Sequence, residues 1–299
     1  MAALVEDRRS QIVLGLDPDP AALWPAAVQA AGDGPGDVRE RTAAAVAAHC
    51  RAAIEAAGAA CVAVKPQLAC FERLGAPGWA ALEQTVAAAH EHGLLVIADG
   101  KRADVPVTAR AYGQALVGEV EGPFGMVGGL DADAFTANPL LGRDSLEPLL
   151  DAAQLAGAGI FCLVRTSNPG AADVQDLDAG GQPVHERLAR MVAELGAPSV
   201  GHSGLSAVGA VTGATRPELL ARLRRLMPHA VFLLPGVGAQ GGTVDALAPA
   251  FAPHPAAGLV AASRSIVGAA ARRGGHPAEA AADAAEQLRA AAWALSVRG

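Results

Sequence analysis

The sequence predicts a (β/α)8 TIM barrel of the α/β class, built as a single domain over residues 1–299. Short apolar segments alternate with longer segments of helical periodicity, which is the pattern of βα units around a parallel sheet. The apolar segments are continuously hydrophobic, as expected when both faces of a sheet are buried. Because eight such segments occur, a closed barrel is favoured, and an open doubly wound sheet is the alternative.

The individual elements follow from these two periodicities. Strands are predicted at Gln11–Asp17, Ala60–Lys65, Leu94–Asp99, Ala132–Asn138, Gly159–Thr166, Ala207–Thr212, Ala230–Leu234 and Gly258–Ala262. Helices are predicted at Glu40–Ala57, Trp79–His92, Arg143–Leu155, Val184–Leu195, Pro217–Leu226 and Pro277–Leu295. Ala30–Asp37 and Ala171–Gln182 contain glycine and acidic residues and are predicted loops. The second follows the fifth strand and is either a lid or an ordinary solvated loop.

The composition argues against several classes of protein. The net charge is −7, whereas a nucleic-acid surface needs clustered Lys and Arg. There is no apolar segment of roughly 20 residues to span a membrane, and residues 1–10 lack a signal-peptide pattern. We therefore expect a cytoplasmic protein. Buried, reduced thiols are predicted because no CxxC pair occurs among Cys50, Cys61, Cys70 and Cys162, and a disulfide or a metal site is the alternative.

Lysine is unusually scarce in this chain. There are 21 arginines and only two lysines, Lys65 and Lys101. Arginine is used almost everywhere that only positive charge is needed. Each lysine is therefore predicted at a position that requires a compact ammonium able to give up a proton. Chance in an arginine-biased composition is the alternative.

The third predicted strand leads directly into charged residues, Asp99-Gly-Lys101-Arg-Ala-Asp104. Asp99 and Lys101 are two residues apart, so at a strand end their side chains point to the same side. Asp104 follows on the loop, where we expect it to flank the lysine. Two carboxylates keep a partly buried ammonium protonated, so the cluster predicts a proton donor beside fixed negative charge. A strand-end network of salt bridges is the alternative.

Lys65 ends the second predicted strand, in Val-Ala-Val-Lys65-Pro-Gln. A lysine at this place is expected to project into a pocket at the C-terminal face of the barrel, where active sites lie, and to join the charge array. It could instead extend to solvent, or act as a Schiff-base nucleophile if it were desolvated and neutral. The nearby carboxylates argue against a Schiff base because they hold an ammonium protonated.

The segments after the seventh and eighth strands predict a phosphate site. The first reads Leu-Pro-Gly236-Val-Gly238-Ala-Gln-Gly-Gly, and the second places Arg264 in Ala-Ser-Arg-Ser. Barrels frequently bind phosphate between these two loops. Glycines let backbone amides approach an anion, and an arginine can hold it with two hydrogen bonds.

These motifs together resemble those of the orotidine 5'-phosphate decarboxylases. The resemblance rests on DGKRADVPVT, VKPQ, RTSNPGA, LLPGVGAQGG and ASRSI, as in the longer bacterial subgroup (type 2), and extends from Gly15 to Arg264. The chain departs from it at Ala103, where glycine is frequent, and at a local insertion in Ala30–Asp37. The resemblance implies a barrel that converts orotidine 5'-phosphate to UMP and CO2 without metal or organic cofactor, typically as a homodimer.

The resemblance also implies roles for individual residues. Lys101 matches the donor of the proton to C6, and Asp99 matches the carboxylate that faces the carboxylate of the substrate. Lys65 and Asp104 complete an alternating Lys-Asp-Lys-Asp array, in which Asp104 reaches the site of the neighbouring subunit. The implied binding residues are Asp17 and, in trans, Thr108 for the ribose, Ser167 for the pyrimidine, and Gly236, Gly238, Gln240 and Arg264 for the phosphate.

Two other functions stay open at this point. A related barrel could act on a sugar phosphate as a decarboxylase or aldolase, and such an enzyme would depend on a metal ion. A non-catalytic barrel that binds a nucleotide or phosphate would bind its ligand without turnover.

Overall fold

The computed structural model describes residues 1–32, 34, 36–238 and 241–297. Within them eight parallel strands close into a barrel with helices between them, which confirms the predicted architecture. The strands in chain order are β1 (Ile12–Leu16), β2 (Ala63–Pro66), β3 (Leu95–Arg102), β4 (Glu119–Gly122), β5 (Gly125–Gly128), β6 (Ala134–Ala137), β7 (Gly159–Arg165), β8 (Ser206–Thr212), β9 (Ala230–Pro235) and β10 (Gly258–Ala262). β4 and β5 pair with each other, and the other eight form the barrel, which closes between β1 and β10.

Each predicted strand corresponds to a barrel strand, but the start of the second strand and the end of the third differ from the prediction. The second strand begins at Ala63 rather than Ala60, because Gly58–Ala60 form a 3-10 turn in which the Cys61 N–H donates to the Gly58 carbonyl at 3.0 Å. The third strand continues beyond Asp99 to Arg102, so Asp99, Lys101 and Arg102 are part of the strand itself and Asp104 follows it.

The predicted helices are all present, with ends shifted by a few residues. The helices are α1 (Ala2–Arg8), α2 (Pro25–Ala31), α3 (Val38–Ala57), α4 (Leu68–Glu72), α5 (Gly75–Glu91), α6 (Pro106–Leu116), α7 (Arg143–Leu155), α8 (Ala172–Gln175), α9 (Val184–Gly196), α10 (Pro217–Leu226), α11 (Ala269–Arg273) and α12 (Pro277–Ser296). α6 was not predicted, although Pro106 at its first position is a common start signal. Within the described ranges, no helix is long and apolar enough to cross a membrane.

The hairpin of β4 and β5 was not predicted either. It lies between α6 and β6, and nearly all of its residues are exposed. An exposed hairpin needs no buried face, so its sequence lacks the regular apolar pattern that marks the barrel strands. Val120, Phe124, Met126 and Val127 are the large apolar side chains that it exposes.

The two predicted loops contain more regular structure than expected. The prediction of a loop at Ala30–Asp37 is wrong at its start, because Ala30 and Ala31 are the last residues of α2. Its end is as predicted: Asp37 precedes α3 and caps it by accepting from the N–H groups of Arg39 and Glu40 at 2.7 and 2.9 Å. Positions 33 and 35 lie outside the described residues. Ala171–Gln182 contains the short helix α8, and whether it closes as a lid stays a prediction.

The core forms two clusters of buried side chains. The larger lies between the strands and the surrounding helices, and alanine contributes many of its members because aromatic residues are only 3% of the chain. The smaller gathers side chains such as Val13, Ile97, Phe161 and Leu233 from β1, β3, β7 and β9, together with Val5 of α1. These clusters fix the strand ends that carry the polar residues.

The cysteines are free thiols, as predicted. Cys50, Cys61 and Cys162 are buried, and burial raises the pKa of each to about 12. Cys70 is half-buried, so the prediction of burial is wrong for this one cysteine. The buried thiols therefore behave as small apolar residues of the core.

Candidate active site

A cavity of about 430 Å³ lies at the C-terminal ends of the barrel strands. This is the face at which barrels of this type carry their active sites. The structure brings seven of the predicted site residues together in its wall: Asp17, Lys65, Asp99, Lys101, Ser167, Gly236 and Arg264.

Asp99 is the centre of the charged part of this cavity. Its Oδ2 accepts from the Lys65 Nζ, and its Oδ1 accepts from the Lys101 Nζ at 2.7 Å. The three side chains differ in burial: Lys65 and Asp99 are 11% and 7% exposed, whereas Lys101 is 42% exposed. One lysine is therefore a buried partner of the carboxylate, and the other faces the cavity.

The charges of this group stabilise each other. Burial alone raises the pKa of the Asp99 carboxyl, but Lys65 and Lys101 outweigh burial and hold that pKa well below its usual value. Burial lowers the pKa of the Lys65 ammonium, but Asp99 and Asp17 outweigh it and leave the pKa above its usual value. Asp99 is thus a carboxylate and Lys65 an ammonium at neutral pH.

Two polar residues complete the setting of Asp99, and neither was singled out from the sequence. Gln67 Nε2 donates to Asp99 Oδ2 at 3.3 Å, and Thr136 Oγ1 donates to Asp99 Oδ1 at 2.8 Å. Gln67 follows Lys65 by two positions. Thr136 is a polar residue in the middle of a predicted apolar strand, and that contrast was the available signal for it.

The backbone around Lys101 is irregular. Lys101 has φ +49°, a left-handed conformation that non-glycine residues seldom adopt. The pairing of β3 with β6 shifts here: Ala98 pairs with Phe135 and Arg102 with Ala137, so Asp99–Lys101 lie opposite Thr136 alone. This bulge directs both Asp99 and Lys101 toward the cavity.

Asp104 and Thr108 are not in the cavity wall of their own chain. Asp104 accepts from the N–H of Val105 at 2.7 Å, just before α6, and Thr108 is exposed in the first turn of that helix. The expectation that Asp104 flanks Lys101 is wrong within one chain: among the described residues, the ion-pair partner of Lys101 is Asp99. The loop turns away after Arg102, whose guanidinium pairs with Glu72 and stacks on Tyr112.

The residues predicted to bind phosphate are only partly placed as expected. Arg264 and Gly236 line the cavity, and two carbonyls of the Arg264 loop accept from Arg272, that of Arg264 at 2.5 Å and that of Ser265 at 2.9 Å. The prediction for Gly238 is wrong in detail, because its N–H donates to the Gly242 carbonyl at 2.8 Å and the residue lines a neighbouring groove. Gln240 lies outside the described residues.

Another part of the cavity wall is built by the segment after β7. Ser167 and Asn168 line the cavity there, as does Gln175 of α8, whose Oε1 accepts from the Thr166 N–H at 2.8 Å. Behind it, Arg165 donates to both oxygens of Asp176, at 2.8 and 3.0 Å. The segment predicted to be a lid or loop is therefore tied to the end of β7.

The geometry suits a small anionic ligand. Positive groups from three strand ends line the cavity, Lys65 of β2, Lys101 of β3 and Arg264 after β10. The wall also carries apolar side chains from the strands, Leu163, Val211 and Leu233. Within the described part of the chain, no group of three His, Cys, Asp or Glu side chains could hold a metal ion.

Comparison with known proteins supports the resemblance. The sequence profile described as "Orotidine 5'-phosphate decarboxylase / HUMPS family" matches residues 10–283. The chain is 43% identical over 232 residues to the orotidine 5'-phosphate decarboxylase of Rhodopirellula baltica, covering 77% of this chain and 75% of the relative. It is 43% identical over 259 residues to that of Haloarcula marismortui, covering 86% and 82%.

Solved structures show the same relationship. The chain matches Leishmania donovani OMP decarboxylase with a TM-score of 0.71 and 31% identity, over 97% of this chain and 98% of that one. It also matches Leishmania donovani UMP synthase with a TM-score of 0.71 and 33% identity. That match covers 97% of this chain and 56% of the UMP synthase chain. The profile match and these relatives agree, and the chain belongs to the orotidine 5'-phosphate decarboxylase family.

Proposed function

We propose that this chain decarboxylates orotidine 5'-phosphate to UMP and CO2, the last step of pyrimidine nucleotide synthesis, with Lys101 as the donor of the proton to C6. The observation that carries this proposal is that the Lys65–Asp99–Lys101 array and Arg264 line the same cavity. A pyrimidine nucleotide offers a partner to each of them, a base that carries the reacting carboxylate for the lysine array and a phosphate for the arginine.

Loss of CO2 from C6 leaves an electron pair that the pyrimidine ring stabilises poorly. A site that lowers this barrier must place fixed positive charge where the negative charge develops. The Lys101 ammonium fulfils this need because it faces the cavity and is held by Asp99 at 2.7 Å. It then gives its proton to C6, which completes the reaction as general acid catalysis.

Asp99 has a second role in this mechanism. Its pKa is held well below the usual value, so it is negative when the substrate binds. Repulsion between Asp99 and the carboxylate of the substrate is relieved as CO2 departs. The buried Lys65 keeps Asp99 charged and in place.

The state of Lys65 argues against covalent catalysis. A Schiff base requires a neutral amine that attacks a carbonyl carbon. The pKa of Lys65 is raised above its usual value by Asp99 and Asp17, in spite of the burial that lowers it. Lys65 therefore acts as a charge in the array and not as a nucleophile.

The remaining wall residues bind the substrate. In this proposal Asp17 binds the ribose, Ser167 the edge of the pyrimidine, and Arg264 the phosphate with the backbone at Gly236 and with Gln240. Phosphate binding lies far from C6, so its binding energy is available for assembling the site rather than for the chemical step itself. A substrate without phosphate should lose rate as well as affinity.

The finer features of the resemblance are part of the same proposal. Asp104 and Thr108 lie outside the cavity of their own chain, which suits a homodimer in which each completes the site of the partner. The KPQ, SNP and PGVGAQGG sequences support the longer bacterial subgroup (type 2). We also propose a single domain over residues 1–299 and a cytoplasmic location. Sedimentation velocity tests the dimer, since a monomer at micromolar concentration contradicts it.

The activity has a direct test. The purified protein is treated with a chelator and incubated with orotidine 5'-phosphate, and conversion to UMP is followed in the ultraviolet spectrum. We expect turnover that added Mg²⁺ does not raise. Absence of UMP contradicts the proposed function and favours a non-catalytic binding barrel, whereas turnover that depends on Mg²⁺ favours a metal-dependent relative that acts on a sugar phosphate.

The role of Lys101 is tested separately. Lys101→Ala should lose turnover by several orders of magnitude, because it removes both the positive charge and the transferable proton. Affinity for UMP, measured by calorimetry, reports whether the variant is still folded around its ligand. A Lys101→Ala variant with near-wild-type turnover contradicts the proposed mechanism but does not contradict the proposed substrate.

A further inference from the structure

The bulge in β3 changes the hydrogen bonding of the Lys101 backbone, and Thr136 provides the partner there. Asp99–Lys101 lie opposite Thr136 alone, so the regular ladder of backbone hydrogen bonds between β3 and β6 is interrupted where Lys101 sits. An N–H group that is shielded from water and has no partner is costly. The Lys101 N–H instead donates to Thr136 Oγ1 at 2.9 Å.

The same hydroxyl also orients the carboxylate. Thr136 Oγ1 donates its own proton to Asp99 Oδ1 at 2.8 Å, and that oxygen accepts from Lys101 Nζ at 2.7 Å. The bonds form a closed ring that runs from the Lys101 backbone through the Thr136 hydroxyl and the Asp99 carboxylate to the Lys101 ammonium. Thr136 is 1% exposed, so the Thr136 side of the ring is shielded from water.

We propose that Thr136 is a positioning residue for the reaction, whose hydroxyl holds both the backbone and the ammonium of Lys101 in the geometry for proton transfer. This inference rests on the proposed function of Lys101 as proton donor. Lys101 has φ +49°, a left-handed conformation that is unfavourable for a residue other than glycine. The bond to Thr136 opposes relaxation of this backbone toward a regular strand, which would turn the lysine away from Asp99.

A valine at this position tests the hydroxyl without changing the shape. Thr136→Val keeps a β-branched side chain in the strand but removes both hydrogen bonds, and Thr136→Ser keeps the hydroxyl. The matched control is Thr212→Val in β8: Thr212 is also fully buried, and its Oγ1 finds no hydrogen-bond partner in the described part of the chain. The readouts are kcat and KM for orotidine 5'-phosphate, the dissociation constant of UMP, and the midpoint of thermal unfolding.

We expect Thr136→Val to lower kcat about 100-fold, as a misplaced catalytic group does. KM and the dissociation constant of UMP should stay within about threefold, because the phosphate and ribose contacts lie elsewhere, and Thr136→Ser should keep most of kcat. A Thr136→Val enzyme with wild-type kcat overturns the inference. Equal losses in Thr136→Ser and Thr136→Val, or in Thr212→Val, also overturn it, because they assign the effect to packing.

The wild-type enzyme keeps this test separate from the test of function. If wild-type protein produces no UMP, the proposed function fails first. If wild-type protein produces UMP and Thr136→Val has the same kcat, the proposed function stands and only the proposed role of Thr136 is contradicted.

Discussion

Lys65 and Asp99 form an ion pair that is almost completely buried, with 11% and 7% of their side chains exposed. Lys101 binds the other oxygen of the same carboxylate from a far more exposed position. The carboxylate therefore links a lysine that is fixed in the barrel to a lysine that faces the ligand.

Removal of the Asp99 charge should cost stability as well as activity. Asp99→Asn leaves the buried Lys65 ammonium without its counter-charge, and breaking a buried pair in this way costs about 3–5 kcal/mol. Urea unfolding at pH 7 measures this loss of stability, and turnover of orotidine 5'-phosphate should fall as well. Asp151→Asn is the control, since Asp151 on α7 is exposed and has no ion pair within the described ranges, and its effect should stay within about 0.5 kcal/mol. If the two variants were equally stable, the Lys65–Asp99 pair would contribute nothing to the stability of the barrel.

The sequence was sufficient to predict this charged cluster but not its bonding. Strand ends in a parallel barrel meet at one face, so Lys65 and Asp99 could be placed together from the apolar pattern alone. The bulge that gives Lys101 its left-handed backbone depends on the register between β3 and β6, and no local pattern encodes that register. For the same reason Thr136 was read as an ordinary strand residue.

The positions of Asp104 and Gly238 show a second limit. Both belong to motifs with the expected sequence, yet Asp104 lies outside the cavity and the Gly238 N–H is used within its own loop. A motif identifies which residues occur near a site. It does not determine the path of a loop, because that path depends on contacts such as the pair of Arg102 with Glu72.

The segment after β7 should be loosened by a single substitution. Arg165 is buried and donates twice to Asp176, which lies inside the segment predicted to be a lid or loop. Asp176→Ala breaks this bidentate pair, so amide hydrogen exchange over residues 172–182 should speed up and KM for orotidine 5'-phosphate should rise about fivefold or more. The control is Asp173→Ala, an exposed carboxylate of α8.

Each readout has a distinct meaning for this segment. Faster exchange with unchanged KM would show that the segment is anchored by Asp176 but has no part in substrate binding. Unchanged exchange would contradict the anchoring itself.

The phosphate contact should be visible as a difference between two ligands. Arg264→Ala removes a bidentate donor, so the dissociation constant of UMP should rise about 30- to 100-fold, or 2–3 kcal/mol. The affinity for uridine, which lacks the phosphate, should stay unchanged. Arg273→Ala is the matched control, because Arg273 bonds Gln287 and not the cavity. Equal weakening of UMP and uridine would mean that Arg264 supports the loop rather than binding the phosphate.

His49 makes the stability of this barrel depend on pH in a defined window. Its Nδ1 accepts from the Trp24 N–H at 3.1 Å, its ring packs edge-on against Trp24, and burial lowers its pKa to about 4. Because the folded pKa lies below the unfolded value of about 6.5, the unfolded state takes up the proton first. The contribution of neutral His49 is therefore complete above pH 6.5 and is lost as pH falls toward 4, by about 3 kcal/mol in total.

An asparagine isolates this contribution from the other titrating groups. His49→Asn keeps an acceptor near the position of Nδ1 but cannot take up a proton in this range. Urea unfolding at pH 7.0, 5.5 and 4.5 gives the free energy of unfolding of both proteins. The difference between them should change with pH in the direction that disfavours the wild type in acid, because Asp and Glu residues titrate equally in both. A constant difference across these three pH values would contradict a buried neutral His49 and would mean that the imidazole is protonated as easily in the folded barrel as in the unfolded chain.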